Sequence, residues 1–265
     1  MEYEKFEKIK DNETTQNYNL NKDFKTFSST KYPNITLIIT SNNLIDLDNL
    51  DSIIPKGSMI IFLSKHTSKS KIPTLTSHST GNFTENTLFG GKPMEIGNTF
   101  PSFQKIYMKK LYREKEKVSE YNLTIEATHH GPTSSVNPMI FIEIGSSEIQ
   151  WNDKNTASIV CKCVIDTIKS IKKDTNDNTT DIGIGLGGNH YPQEFNKLIL
   201  FSNVAFGPII SKYNIEFIDK KMIEKIKEKS IEKIIKIYID QKGLGKGKEK
   251  VLNLLKDQDL ERIFI

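Results

Sequence analysis

Short apolar runs, separated by polar turns and longer amphipathic segments, set the pattern of this chain from about residue 34 onward. Seven runs read as strands: Asn34–Thr40 (NITLIIT), Ser58–Ser64 (SMIIFLS), Leu123–Ala127, Met139–Gly145 (MIFIEIG), Asp181–Leu186 (DIGIGL), Asn203–Gly207 and Glu232–Ile239. Between them, apolar residues recur at helical spacing in Phe103–Lys117, residues 155–172 and Pro192–Phe201. Runs such as IIFLS and IFIEIG are almost continuously apolar, which suits strands covered by helices on both faces. Strands alternating with helices predict an α/β fold, a three-layer sandwich around a mixed, largely parallel sheet. Loops that carry chemistry are then expected at the C-terminal strand ends.

Residues 1–33 are polar, with scattered aromatics and weak periodicity, and read as a poorly ordered or atypical segment. A single α/β domain is expected over 34–265. Lys173–Thr180 reads as a polar loop, Lys220–Ser230 as a charged amphipathic helix and Val251–Lys256 as a helix. Cys161 and Cys163 are the only cysteines, and C-K-C lacks the spacer of a zinc knuckle or redox site, so they read as helix residues. No apolar run reaches about 18 residues, so no membrane span is expected. The polar N-terminus is no secretory signal, and a reduced cytoplasmic compartment follows as the expectation. The net charge of +4 tolerates a polyanion such as RNA without demanding one.

The five histidines sit in polar, turn-rich stretches after apolar runs. His66 lies in SKHTS, His78 in Leu75–Phe83 (LTSHSTGNF), His129 and His130 after the run from Leu123, and His190 at the end of Gly183–Pro192 (GIGLGGNHYP). If parallel strand ends share one edge, these imidazoles converge there. Imidazole exchanges a proton near neutral pH and is the commonest zinc ligand. Neighbours on an extended strand face opposite ways, so His129 and His130 diverge unless the Gly131-Pro132 turn bends the backbone. Glu126 precedes them, and Glu143 lies inside an apolar run, where its charge needs a cation or a metal.

The spacing G-x-G-x-G-G in Gly183–Gly188 is not a dinucleotide fingerprint. Gly187 and Gly188 are expected instead to present backbone N–H groups to an oxyanion beside His190. Gln241–Lys250 (QKGLGKGKEK) has the wrong order for a phosphate-binding P-loop and reads as a basic turn, with phosphate contact as the sharper alternative.

Taken in chain order, Ser64–His66, Pro73–Asn82 (PTLTSHSTGN), Glu126–Ser134 (EATHHGPTS), Phe141–Asp153 (FIEIGSSEIQWND), Gly187–Pro192 (GGNHYP), Lys212-Tyr213 and Asp240–Gly247 (DQKGLGKG) resemble D-aminoacyl-tRNA deacylases of the archaeal and plant type. The resemblance runs from about Asn34 to the C-terminus. It implies a phosphorylase/hydrolase-like fold with a peptidyl-tRNA hydrolase-like core. It also implies hydrolysis of D-aminoacyl-tRNA in translation quality control and two zinc ions per chain, and a monomer is expected. Carried over, His66, His78, His129, His130, Glu143 and His190 are the candidate metal ligands. His129, His130, Glu126, Gly187 and Gly188 are the catalytic candidates, and Thr128, Thr133, Asn189, Lys212 and Lys242 the substrate contacts. Two departures stand out: Met1–Lys10 lacks an opening apolar strand, and Pro208 occupies a position where many members carry histidine. The alternatives are a zinc-dependent carboxypeptidase or amidohydrolase-like enzyme, and a tRNA-binding module without turnover.

Overall fold

The apolar runs become strands and the amphipathic segments helices in a computed structural model that describes residues 6–8, 24–174, 180–256 and 258–265. The strands are β1 (Phe6–Lys8), β2 (Phe24–Ser29), β3 (Thr36–Thr40), β4 (Ile60–Thr67), β5 (Thr74–His78), β6 (Gly81–Asn82) and β7 (Glu95–Ile96). They continue with β8 (Asn122–Ile125), β9 (Met139–Ser146), β10 (Asp181–Leu186), β11 (Val204–Ile210), β12 (Lys236–Ile239) and β13 (Glu261–Phe264). The α-helices are α1 (Pro101–Arg113), α2 (Glu148–Trp151), α3 (Lys154–Asp174), α4 (Gln193–Phe201), α5 (Lys220–Glu228) and α6 (Lys248–Leu254).

Two four-stranded sheets form the centre, one in the order β4-β9-β5-β8 and one in the order β11-β10-β12-β13. All pairs within them are parallel except β5 with β9. Residues 126–128, running on from β8, join the sheets. The Glu126 amide donates to Ser77 O (3.0 Å), that of Ala127 to His190 O (2.8 Å) and that of Thr128 to Ile209 O (2.8 Å). The Thr128 hydroxyl in turn accepts the Ile209 amide (3.0 Å).

Apolar faces decide the layers. Phe103, Tyr107 and Leu111 of α1, Val160 and Val164 of α3, and Phe195 and Ile199 of α4 pack on one side with Leu75, Ile142 and Phe206. Met222, Ile223 and Ile226 of α5 and Val251 of α6 cover Ile182, Ile184 and Leu186 on the other side of the parallel sheet. The Ile-Gly alternation of β10 thus has a packing cause. A Cβ on Gly183 would lie 2.6 Å from ring carbons of Tyr238, so glycine on that face makes room for an aromatic ring. Pro208 sits where β11 carries one residue more than β10 between the pairs Gly183–Phe206 and Gly185–Ile209. Such a bulge, on the outermost strand of its sheet, admits a proline.

Among the parts of this frame that the pattern left unread, β6, β7 and β13 included, two matter most. β5 has the sequence TLTSH, too polar to resemble a core strand, yet every residue of it is buried. Its backbone pairs with β9 and β8, while Gln104 of α1 donates to Ser77 O and Oγ (3.0 and 3.1 Å). The N-terminal segment contains β2, paired antiparallel with β3 and β1. Residues 1–5 and 9–23 of that segment lie outside the described residues, as do 175–179 of the polar loop. No helix among the described residues is long and apolar enough to cross a membrane.

The Trp-Asn-Asp motif anchors this frame. Asp153 Oδ1 accepts the amides of Asn155 and Thr156 (3.0 Å each) at the start of α3, and Oδ2 accepts the Tyr121 hydroxyl (2.9 Å). Replacing Asp153 by Ala is expected to cost about 1–2 kcal/mol of stability through loss of this cap. Urea unfolding of the variant beside the unsubstituted protein measures it.

Candidate functional site

Strand parity assembles the first half of the site. In β9, Phe141, Glu143 and Gly145 share a face, paired with Phe62, Ser64 and His66 on β4 and with His78, Thr76 and Thr74 on β5. His66, Glu143 and His78 therefore project together from the face opposite the α1 layer. This corrects the expectation of a site at one C-terminal strand edge. β5 runs against β4 and β9, so the ends of these strands lie at opposite edges and parity brings the side chains together. His66 and His78 also lie within strands rather than after them. Gly145 stands opposite His66, and a Cβ there would come within 2.6 Å of His66 Cβ.

The segment after β8 supplies the second half. His130 takes φ +44, a left-handed conformation that costs a non-glycine residue on the order of 1–2 kcal/mol. The strand alternation ends there, and both neighbouring imidazoles enter the same cluster. Ring centroids lie 4.1 Å apart for His78 and His129, 4.7 Å for His78 and His130, and 4.4 Å for His129 and His130. Each ring uses Nδ1 on a backbone carbonyl: His78 donates to Ser79 O (3.1 Å), His129 to Ala127 O (2.8 Å) and His130 to Gly131 O (2.6 Å). That fixes the tautomer and leaves Nε2 with a free lone pair.

Glu126 is buried beside them. Its Oε1 lies 3.3 Å from His66 Nδ1, and its Oε2 lies 2.8 Å from His190 Nε2 and 3.5 Å from His129 Nε2. Neither oxygen is aligned in a hydrogen bond, and buried His78 Nε2 also has no hydrogen-bond partner. Three triples offer ligand atoms within 4.8 Å of one another: His78, His129 and His130; Glu126, His129 and His190; and His66, Glu126 and Glu143. Orphaned oxygens and inward lone pairs fit a cation held by nitrogen and oxygen ligands.

Burial, then the neighbouring histidines, holds His78 well below the usual imidazole range. The same causes lower His129 to about 3, and burial lowers His130. Burial opposes ionisation of Glu126, but His190 and the other imidazoles outweigh it and keep the carboxyl well below its usual range. Burial also works against charge on His66, where Glu143 and Glu126 prevail and the pKa is raised. His66 Nδ1 lies 3.2 Å from Glu143 Oε2, its Nε2 lies 2.6 Å from the Tyr191 hydroxyl, and Trp151 Nε1 donates to its carbonyl (2.9 Å).

The structure thus gathers all five histidines, Glu126 and Glu143. Asn189, Lys212 and Lys242 stand apart from them, lining a cavity of about 500 Å³ with Gly188, Tyr191 and Asp240. Gly187 and Gly188 do not offer the expected oxyanion donors. The Gly187 amide donates to Ile210 O (2.9 Å) and that of Gly188 to Gly243 O (3.0 Å), so neighbouring segments consume both. Thr128 and Thr133 are structural as well. Thr128 spans the sheets, and the fully buried Thr133 accepts the Lys92 amide (2.8 Å) through Oγ1. Tyr191 was missed from the sequence, although it directly follows His190 in the GGNHYP motif.

Known proteins are similar to this chain over most of its length. The model of a family described as D-aminoacyl-tRNA deacylase matches residues 54–263. A D-aminoacyl-tRNA deacylase of Cenarchaeum symbiosum (strain A) is 39% identical over 203 residues, 77% of this chain and 76% of that protein. One from Methanococcus maripaludis (strain C7) is 38% identical over 78% of this chain and 81% of its own length. A crystal structure described as that of a conserved protein of unknown function superposes with a TM-score of 0.83 at 27% identity, covering 98% of this chain and 86% of the other.

The buried imidazoles have a thermodynamic consequence. His78, His129 and His130 resist protonation in the folded state, whereas unfolded imidazoles bind protons below about pH 6.5. The unfolded state then holds more protons, so stability is full above that pH and falls as pH drops below it. The raised pKa of His66 acts in the opposite sense, but its contribution is already complete below pH 6.5. Thermal unfolding of metal-free protein is expected to show Tm falling between pH 7 and 5 with a slope of more than one proton. A flat profile contradicts buried neutral imidazoles.

Proposed function

The chain belongs to the D-aminoacyl-tRNA deacylase family, and from that membership we propose that it hydrolyses the ester joining a D-amino acid to the 3′ end of tRNA, at the five-histidine cluster. Free D-amino acid and tRNA are the products, and the protein acts as a cytoplasmic monomer. A phosphorylase/hydrolase-like fold with a peptidyl-tRNA hydrolase-like core is the matching assignment for the sandwich. The observation that carries the reading is Glu126, an orphaned buried carboxylate between His66, His129 and His190. Packing alone gives no reason for such a group.

Two zinc ions suit the donor set, with His78, His129 and His130 to hold one and His66, Glu126 and Glu143 to hold the other. Bound there, zinc would supply Lewis-acid polarisation of the ester and an activated water. The protein's own groups do the rest. His129 and His130, with Nδ1 committed to carbonyls and their pKa values depressed, suit ligation better than proton transfer. His190 is half-exposed with Nε2 2.8 Å from Glu126 Oε2, which places it to take the proton of the attacking water. As the water oxygen bonds the carbonyl carbon, the carbon–oxygen bond to the ribose breaks and the ribose oxygen takes up a proton. Lys212 and Lys242 beside the cavity suit the phosphates of the tRNA end, and make binding salt-dependent.

In the test, D-tyrosyl-tRNA and L-tyrosyl-tRNA are each incubated with the purified protein, with and without a chelator. The D ester is expected to be cleaved and the L ester spared, with cleavage abolished by the chelator and lowered at least ~100-fold in His129→Ala. Equal cleavage of both esters, or none of either by folded, zinc-loaded protein, rejects the reading.

A further inference from the structure

With the amides of Gly187 and Gly188 donated to Ile210 O and Gly243 O, that turn offers no donor to the charge that develops on the ester carbonyl oxygen, and a side-chain hydroxyl could add to the polarisation that bound zinc would supply. Tyr191 stands at the junction that such a donor must occupy. Its hydroxyl lies 2.6 Å from His66 Nε2, inside the cluster, while the residue also lines the cavity with Asn189, Lys212 and Lys242. The neighbouring His190 ring packs edge-on against it, with centroids 4.8 Å apart. We propose that the Tyr191 hydroxyl touches the reacting ester and hydrogen-bonds its carbonyl oxygen as negative charge develops there.

The direction of the hydrogen bonds supports this role. His66 turns Nδ1 toward Glu143 and Glu126, 3.2 and 3.3 Å away. With Nδ1 given to the cation that His66, Glu126 and Glu143 would hold, the ring hydrogen sits on Nε2 and is donated to the phenol oxygen, which leaves the phenol hydrogen for an acceptor in the cavity. Trp151, bonded to the His66 carbonyl, and Gly145, packed beneath the His66 side chain, fix the imidazole that fixes the phenol. A hydroxyl held this way is preorganised, the property that gives oxyanion stabilisation its effect.

The inference rests on the proposed deacylation, and the experiment separates the two. Zinc-loaded unsubstituted protein and Tyr191→Phe are compared on D-tyrosyl-tRNA, with metal content and Tm measured on the same samples. The variant is expected to lose about 100-fold or more in kcat, with KM changed less than about threefold and with metal and Tm unchanged. A kcat within about twofold of the unsubstituted protein overturns the role. So does a loss that merely tracks metal or Tm. If the unsubstituted protein itself leaves the D ester intact, the deacylation reading fails instead. A second measurement needs no variant: a crystal structure with a non-hydrolysable amide analogue of 3′-D-tyrosyl-adenosine. Tyr191 Oη is expected within about 3.0 Å of the analogue's carbonyl oxygen, and a carbonyl beyond hydrogen-bond reach of Tyr191 overturns the proposal.

Discussion

Glu126 carries a negative charge where its side chain has no exposure to solvent, and much of the structure is organised around that burial. An isolated buried carboxylate costs several kcal/mol unless partners compensate it. Three imidazoles approach its oxygens within 3.5 Å, and they do so because the same residue lies at the seam of the two sheets. Its amide bonds Ser77, while the next two residues bond His190 and Ile209. A slip of one residue in this seam would put the carboxylate where Ala127 belongs to the apolar cluster. The charge and the register therefore enforce each other.

The backbone sets the chemistry of the imidazoles. The carbonyls of Ser79, Ala127 and Gly131 take the Nδ1 hydrogens of His78, His129 and His130. None of these three rings needs a side-chain partner to choose its tautomer, and all three are pushed toward the neutral form. Three neutral rings beside two carboxylates gather lone pairs and negative charge in one place, a set that a divalent cation would satisfy. Metal binding and the stability of the native state are then expected to be coupled.

Much of this was legible in the sequence. Apolar runs located β4, β8, β9, β10, β11 and β12 and the long helices, since alternation and helical spacing follow directly from burial. The identities of the clustered residues were legible too, because the chain has so few histidines and each follows or ends an apolar run. The placement of the cluster was not. β5 hides its strand character in Thr, Ser and His, and without β5 the one antiparallel pairing in the central sheets cannot be foreseen. Nor can a glycine pair show whether its amides are free. Gly187 and Gly188 look like oxyanion donors until Ile210 and Gly243, both remote in sequence, are seen to face that turn with their carbonyls.

Two placement rules operate in one molecule. The cluster obeys strand parity, on a rigid sheet face closed by a strained turn at His130. The cavity obeys the rule of strand ends: Gly188 and Asn189 follow β10, Lys212 follows β11, and Asp240 and Lys242 follow β12, three strands that run parallel. Rigid chemistry on a sheet face and polar contacts on loops are what a reaction at the end of a large, charged substrate requires. The ester must be held to fractions of an ångström, whereas the phosphates need only be attracted. The two rules meet at adjacent residues, with His190 on the Glu126 carboxylate and Tyr191 on both His66 and the cavity wall. That pair ties the buried cluster to the cavity wall.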